Sequence, residues 1–518
     1  MADHEFDVVI VGGGSAGCAA AGRLCATTDL HVCLVEAGPD YGPASEGYWP
    51  NELLDARVRP GTHDWGYGEE REDGTTVLEP RARVIGGCSA HNLCAALWGM
   101  PADYDAWAAA GNHGWTYAEL RPLIDQVEQC AEPDATHHGH GGSLPTRIYR
   151  DEELSTWQRV FLQAAGAAGF PRLPDLSAPD PPQAVAPFHA NVLDHTRWNS
   201  AFAFLDPVRD LPTLTVYDGT TADRLLFDQE NATALICSGG AEVELAARMF
   251  ILAAGVYGSP TILMRSGIGP SEHLTELGIF VATDSPGVGE NLHDHPGVAM
   301  RFGPSPGARR AAIEEYRRGT LLQSQVILRG TSGQCTEGFD LHVLPYMHET
   351  ESGEWEFMMY AFNMTPRSRG RVLLRGDDPE LAPVIERRLL SDPGDRDMGV
   401  LADGVIMARH LATFEPLTST IAAEVDPGLR VLREDQLFAF IRSTVDTYAH
   451  AVGTCKMGPA TDSQTVVDPT GRVHGTGNVY VADASIIPQI PRANTNLTCM
   501  LIGLKVADAV VQAIRDIG

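Results

Sequence analysis

The sequence predicts an α/β (α+β composite) protein, in which a parallel-sheet domain is interrupted by an inserted antiparallel-sheet domain flanked by helices. Three observations carry this. Residues 6–36 read strand–glycine turn–helix–strand. A second apolar strand, Arg248-Met-Phe-Ile-Leu-Ala-Ala254, ends at Gly255 and is placed to return to the same sheet. From about Gly297 to Tyr448 the pattern changes to short alternating stretches, the period of half-buried antiparallel strands. At 518 residues the chain exceeds one compact core, so more than one domain is expected.

Phe6–Val11 is a short, β-branched apolar run and reads as a buried parallel strand. Gly12, Gly14 and Gly17 follow in the spacing G-x-G-x-x-G. Ser15 to about Thr27 is Ala-rich with helical spacing, and His31–Glu36 is the next strand. Each glycine has a physical role: a tight turn, close approach to a pyrophosphate, and close helix–strand packing. The helix then offers its unpaired N–H groups to the phosphates. Glu36 lies 19 residues beyond Gly17 (36 − 17), where a carboxylate can accept from an adenosine ribose and would repel a 2′-phosphate. These elements in order predict a Rossmann-like dinucleotide site.

Ala37–Arg83 is rich in Gly, Pro and charge and reads as a long surface excursion. Gly86-Gly-Cys-Ser89-Ala-His91-Asn92 then sets glycines, a hydroxyl, an imidazole and an amide where backbone can approach a planar group. Tyr117–Gln129 and Glu153–Gly169 are expected helices, and Pro171–Pro187 a crossing between domains. His137-His138-Gly139-His140 is surrounded by glycines with no adjacent acidic cluster, and is expected to be a solvated loop rather than a metal site. Thr213–Tyr217, Ala222–Phe227, Ala234–Cys237 and Glu242–Leu245 read as a β-meander. Later, Ser324–Arg329, Phe339–Pro345, Phe357–Thr365 and Arg371–Arg375 are expected strands. Asp397–Ala412, Glu434–Ser443 and Thr498–Ile514 are expected helices.

The formal charge of −30 argues against nucleic acid and anionic membranes as partners. Only Lys456 and Lys505 are lysines, which makes Schiff-base chemistry improbable. The ten cysteines are scattered without C-x-x-C, so neither a zinc site nor a disulfide scaffold is expected. No metal is expected. No apolar run is read as long enough to span a membrane, and a first strand beginning at Phe6 leaves no room for a signal peptide. The cytoplasm is the expected location.

Several motifs, in order, resemble the glucose–methanol–choline (GMC) oxidoreductases from end to end. They are the Gly12/Gly14/Gly17–Glu36 unit, Arg83-Val-Ile-Gly-Gly-Cys-Ser-Ala-His-Asn92 and Gly255-Val-Tyr-Gly-Ser-Pro260. Pro286-Gly-Val-Gly-Glu-Asn-Leu-His-Asp-His-Pro296, His450-Ala-Val-Gly-Thr-Cys-Lys-Met-Gly458, Val481-Ala-Asp-Ala-Ser485 and Asn494-Thr-Asn496 continue the series. The resemblance is strongest to the choline oxidase branch, through Cys88-Ser-Ala-His91-Asn-Leu-Cys94 and Trp98. It implies FAD as cofactor, with residues 1–150, 190–296 and 449–518 forming a split FAD-binding domain. Residues 151–189 and 297–448 would then form the substrate domain. It implies oxidation of a primary alcohol to an aldehyde, with O₂ as acceptor and H₂O₂ as product. The alternatives are a quinone- or carrier-linked dehydrogenase and, less favoured, a hydroxynitrile lyase. A monomer or homodimer is expected.

By the same resemblance His450 is the catalytic proton acceptor and Asn494 stabilises the alkoxide. Gly12, Gly14, Ser15, Ala16, Gly17, Glu36 and Ala37 would hold the adenine half of FAD. Arg83, Val84, Gly86, Gly87, His91 and Asn92 would hold the cofactor from the second motif. Ala254, Gly255, Asp483, Ala484, Asn494, Thr495 and Asn496 complete the set. His91 is a candidate for covalent attachment to the flavin. His293 and His295 are expected to be structural. Choline-oxidising members place a Glu after the Asp-His-Pro turn and a Tyr before the catalytic histidine; this chain has Gly297 and Ala449 there. A non-choline primary alcohol is therefore expected, larger or more apolar because those two positions leave space.

Overall fold

The computed structural model describes residues 5–70, 75–238, 243–319, 324–350 and 353–517. The fold class is the one expected. Phe6–Val11 sits at the centre of a parallel sheet, with Val32–Val35 on one side and Val243–Leu252 on the other. Phe6–Val11, Val32–Val35 and the parallel-paired end of the third strand, Met249–Leu252, are almost wholly buried, as both-face-covered parallel strands must be. Ser15–Thr27 packs beneath them and against the terminal helix Asn496–Ile517.

Val243–Leu252 was only half foreseen. Its first residues pair antiparallel with Asn231–Ser238, while its last residues pair parallel with both Phe6–Val11 and Val479–Val481. The expected meander and the expected returning strand are thus one continuous element; Glu242 lies outside the described residues. Leu214–Tyr217 does not join the meander. It pairs parallel with Val32–Val35 at the opposite edge of the sheet, so a strand assigned by sequence neighbours belongs with distant ones.

The second sheet is antiparallel, in the order Ile421–Asp426, Pro296–Pro304, Trp355–Asn363, Leu341–Glu349, Val326–Gly330, Ala184–Pro187. Arg371–Leu373 instead forms a separate ribbon with Val384–Glu386. Side-chain alternation divides the large sheet cleanly. Val298, Met300, Phe357 and Met359 are buried on the face covered by helices such as Arg396–Leu411. Gly297, Ala299, Tyr346, Met358, Tyr360 and Phe362 look out from the other face into a cavity.

One expectation on membranes needs correction. Asn496–Ile517 is 22 residues long and apolar enough, by length and composition, to cross a bilayer. However, 61% of its most apolar stretch is buried inside the protein, and Gly503 lies so close to Ser15–Thr27 that a Cβ there would stand 2.2 Å from the Ala16 carbonyl oxygen. Its apolarity is that of a core helix.

Candidate active site

A cavity of 780 Å³ runs between the carboxyl ends of the parallel strands and the open face of the antiparallel sheet. At one end the chain turns from Phe6–Val11 into Ser15–Thr27. Gly12 has φ +99°, and a Cβ on it would meet the Ala253 carbonyl oxygen at 2.5 Å. A Cβ on Gly17 would fall 1.8 Å from the Gly12 oxygen, so the helix closes onto the turn only because Gly17 has no side chain. Gly14 is different: it meets nothing closer than 3.8 Å and lines the cavity, leaving backbone open to a ligand. The helix has no acidic residue in its first turn and no side-chain cap, so its N–H groups remain available. Glu36 lines the same end; its carboxylate accepts from the backbone N–H groups of Gly13 at 2.8 Å and Gly38 at 2.7 Å.

Ser15, Ala16, Ala37, Gly87, His91, Asn92, Ala254 and Gly255 also line the cavity, as do Asp483, Ala484, Asn494, Thr495 and Asn496. Four expected cofactor residues do not. Gly17 is turned into the helix–strand contact. Val84 is fully buried, and Gly86 donates its N–H to the Gly13 oxygen at 2.7 Å, tying two loops together. Arg83 bonds the Ala37 carbonyl and stacks over Trp65, 4.6 Å from its ring centre. These four shape the wall from behind. Asp483 lines the cavity, but its carboxylate already accepts from the Gly255 and Ser485 N–H groups and the Ser259 hydroxyl, so it braces the wall.

At the other end, His450 and Asn494 come together as expected: Asn494 Nδ2 lies 3.0 Å from His450 Nε2. With the amide nitrogen donating, Nε2 is the unprotonated nitrogen and Nδ1 carries the proton. Burial holds the ring well below its ordinary pKa, with His295, Arg81 and His342 adding to the effect, so it is neutral.

His295 corrects the reading of that histidine as merely structural. Its Nδ1 lies 3.1 Å from His450 Nδ1, and burial lowers its pKa to about 3, leaving it neutral to accept that proton. The preceding Asp294 accepts the His450 backbone N–H at 2.9 Å, and burial raises its pKa to about 7. His293 does conform: it bonds the Asn291 carbonyl and the Ile490 N–H, and stays in the loop. Sequence reasoning also passed over Arg81. Its Nη1 donates to the Ala449 carbonyl at 3.1 Å, and Ala449 holds a left-handed φ of +62°, aiming the next residue, His450, at the cavity. The signal available was the Arg81-Ala-Arg83 pair, of which only the second arginine was read.

The space expected beside Gly297 is absent. Phe362 pairs with Gly297 across the sheet, and a Cβ on Gly297 would lie 2.1 Å from its ring. Phe362 stacks on Tyr448 at 3.8 Å, and Tyr448 tilts over His450 at 4.3 Å. With Tyr346 and Tyr360 they make an aromatic wall. The charges near that wall are cationic or already paired. Exposed Arg59 lines the cavity, while Asp446 is ion-paired to Arg387 at 3.0 Å.

The histidine loop also departs from expectation. His138 is fully buried between Glu128 and Asp175, at 2.7 and 3.2 Å, and is no solvated loop residue.

Taken together, a glycine turn under a helix N-terminus and a His–Asn pair in one cavity define a nucleotide-cofactor oxidoreductase site. Residues 6–297 and 366–503 match the GMC oxidoreductase family. Choline oxidase from Arthrobacter globiformis is 34% identical, covering 99% of this chain and 95% of that protein. The 5-(hydroxymethyl)furfural oxidase of Methylovorus sp. (strain MP688) is 33% identical, covering 99% of each. Among solved structures, pyridoxine 4-oxidase from Mesorbium loti superimposes with a TM-score of 0.88 at 27% identity, covering 98% of this chain and 99% of that one. The chain belongs to the GMC oxidoreductases: it is an FAD-dependent oxidoreductase acting on CH–OH groups.

The residues present fit that cofactor. Asn496 Nδ2 and the Nε and Nη2 of Arg81 are buried donors without partners, and both residues line the cavity. Such orphaned donors call for an acceptor-rich ligand.

Proposed function

We propose that the protein oxidises a flat, apolar primary alcohol to an aldehyde and returns the electrons to O₂ as H₂O₂. The observation that carries this reading is the His450 Nε2–Asn494 Nδ2 contact beside an aromatic wall. FAD, held by the glycine turn, the helix N-terminus and Asn496, supplies a two-electron hydride acceptor. Neutral His450 takes the hydroxyl proton at Nε2. An alcohol oxygen reaching that nitrogen displaces one hydrogen of Asn494 Nδ2, and the amide then donates to the developing alkoxide without competing as a base. His295 holds the proton on His450 Nδ1, keeping the reactive lone pair on Nε2. Tyr448, Phe362 and Tyr360 exclude water and offer ring faces to a planar substrate.

An alcohol panel read by peroxide release in air tests the reading. Benzylic and other unsaturated primary alcohols are expected to exceed choline in kcat/KM. A trimethylammonium group would meet Arg59 and no unpaired carboxylate at this wall. Choline turning over as well as the aromatic alcohols would refute the substrate class. Flavin bleaching by alcohol without peroxide would transfer the reading to a dehydrogenase, and no bleaching at all to a lyase.

The same reading places a covalent flavin bond at His91. The ring lines the cavity, burial lowers its pKa, and Nε2 donates to the Thr62 carbonyl at 2.8 Å. It is therefore neutral and keeps one unprotonated nitrogen. Acid-precipitated protein is expected to stay yellow, and His91→Ala to release its flavin to the supernatant. A colourless wild-type pellet would exclude the bond.

Grafting the choline-type carboxylate is expected to fail in one step. Gly297→Glu drives its Cβ into Phe362 and should lower the melting temperature, an overpacking cost of about 1–3 kcal/mol. Gly297→Glu with Phe362→Ala should recover stability and gain choline turnover relative to the single variant. An unchanged melting temperature in the single variant would show that Phe362 moves freely.

A further inference from the structure

We propose that Cys130, His138, His189 and Asp175 form a buried site for a divalent transition-metal ion of the zinc class, separate from the flavin. None of the four lines the flavin cavity. Cys130 ends the strand Glu128–Cys130 and His189 begins His189–Ala190, two strands of one small three-stranded sheet. His138 comes from the loop between its strands, and Asp175 from the Pro-rich crossing. The ligand atoms of Cys130, His138 and His189 all lie within 4.8 Å of one another. Asp175 Oδ1 is 3.2 Å from His138 Nε2 and 3.9 Å from His189 Nδ1.

The decisive feature is His189. It is fully buried, both ring nitrogens lack a hydrogen-bond partner, and its ring lies 3.9 Å from that of His138. Its Nε2 stands 3.4 Å from Glu132 Oε2, longer than a well-formed hydrogen bond. A buried imidazole whose ring nitrogens are left without hydrogen bonds is costly. Asp175 Oδ2, in a residue 5% exposed, is likewise without a partner. Glu128 adds a second buried carboxylate, held by the Trp98 indole N–H at 2.7 Å and the Thr146 hydroxyl. The nearby cations include Arg121, which donates to the His138 and Thr136 carbonyls, and Arg329, which donates to the carbonyls of Leu176, Ala178 and Pro181. Two imidazoles, one thiol and a carboxylate are a donor set suited to tetrahedral zinc, whose ligand atoms stand about 3.5 Å apart. Cys130, His138 and His189 need to close by about an ångström.

The test uses the holoenzyme, stripped with a chelator, loaded with Zn²⁺ alone, desalted and measured for metal. About one zinc per chain, with a raised melting temperature, is expected. Cys130→Ser and His189→Gln should each lower retained zinc at least tenfold. His450→Gln should not, although Asp294, His295 and His450 are a second cluster where zinc could lodge. Less than a tenth of an equivalent on the wild type, with no thermal shift, would overturn the site. So would zinc lost only in His450→Gln. Should either variant fail to fold, the zinc stoichiometry of the wild type and of His450→Gln still decides.

Discussion

His450→Ala is expected to keep its FAD and to lose alcohol-dependent flavin reduction by about 10²–10⁴-fold, the usual cost of removing a positioned proton acceptor. FAD retention is expected because the glycine turn lines the cavity away from His450. Asn494→Ala should cost less, about 10–100-fold, the worth of one hydrogen bond to a charged group. The pH profile separates the groups. His450 is held well below its ordinary pKa, so its basic form is already complete at pH 6.5 and above. It should therefore contribute no fall in kcat/KM between pH 8 and 6.5. Asp294, raised to about 7 and bonded to the His450 backbone, is the group that titrates there. An inflection near pH 7 that disappears in Asp294→Asn meets this expectation; one that survives does not. Stopped-flow reduction of His450→Ala at the wild-type rate would remove the mechanism.

Gly17→Ala should prevent cofactor incorporation. The added carbon would sit 1.8 Å from the Gly12 oxygen and 3.3 Å from Ala253 Cβ, both fixed by the sheet. The helix has to retreat, at about 1–3 kcal/mol or more, and its first N–H groups leave the place where a pyrophosphate would sit. Flavin bound per chain and the melting temperature report both effects. Wild-type values in each would show that the helix start can shift without consequence. Gly14→Ala is the useful partner: its Cβ has room within the protein, so any loss of flavin there reads ligand approach rather than folding.

These two glycines also show where sequence was informative. Their roles follow from local spacing, and so does Ser15–Thr27, whereas the meeting of His450 with Asn494 was implied only by the family resemblance. What escaped depends on pairing between distant strands. Nothing local says that Phe362 will face Gly297; that follows from the register of two strands. Leu214–Tyr217 looks like the neighbour of the next strand, yet its partner is Val32–Val35. His138 was placed in solvent because its carboxylate partners come from Glu128 and from Asp175, 37 residues away. A glycine-rich histidine run does not reveal that the loop folds inward. His295 was undervalued for the same reason, since its chemistry arises only beside His450, 155 residues later.

The three-way pairing of Val243–Leu252 has a consequence for how the chain is made. Phe6–Val11 precedes this strand in the chain, whereas Val479–Val481 follows Leu252 by 227 residues (479 − 252). At typical elongation rates of about 5–20 residues per second, roughly ten to forty-five seconds of synthesis separate Leu252 from that last partner strand. Through that interval Ile251 and Leu252 present an unfilled strand edge beside a finished neighbour. Such an edge is a template for pairing with other chains. Soluble yield should therefore respond to translation speed and to chaperone supply more than the stability of the completed protein would suggest.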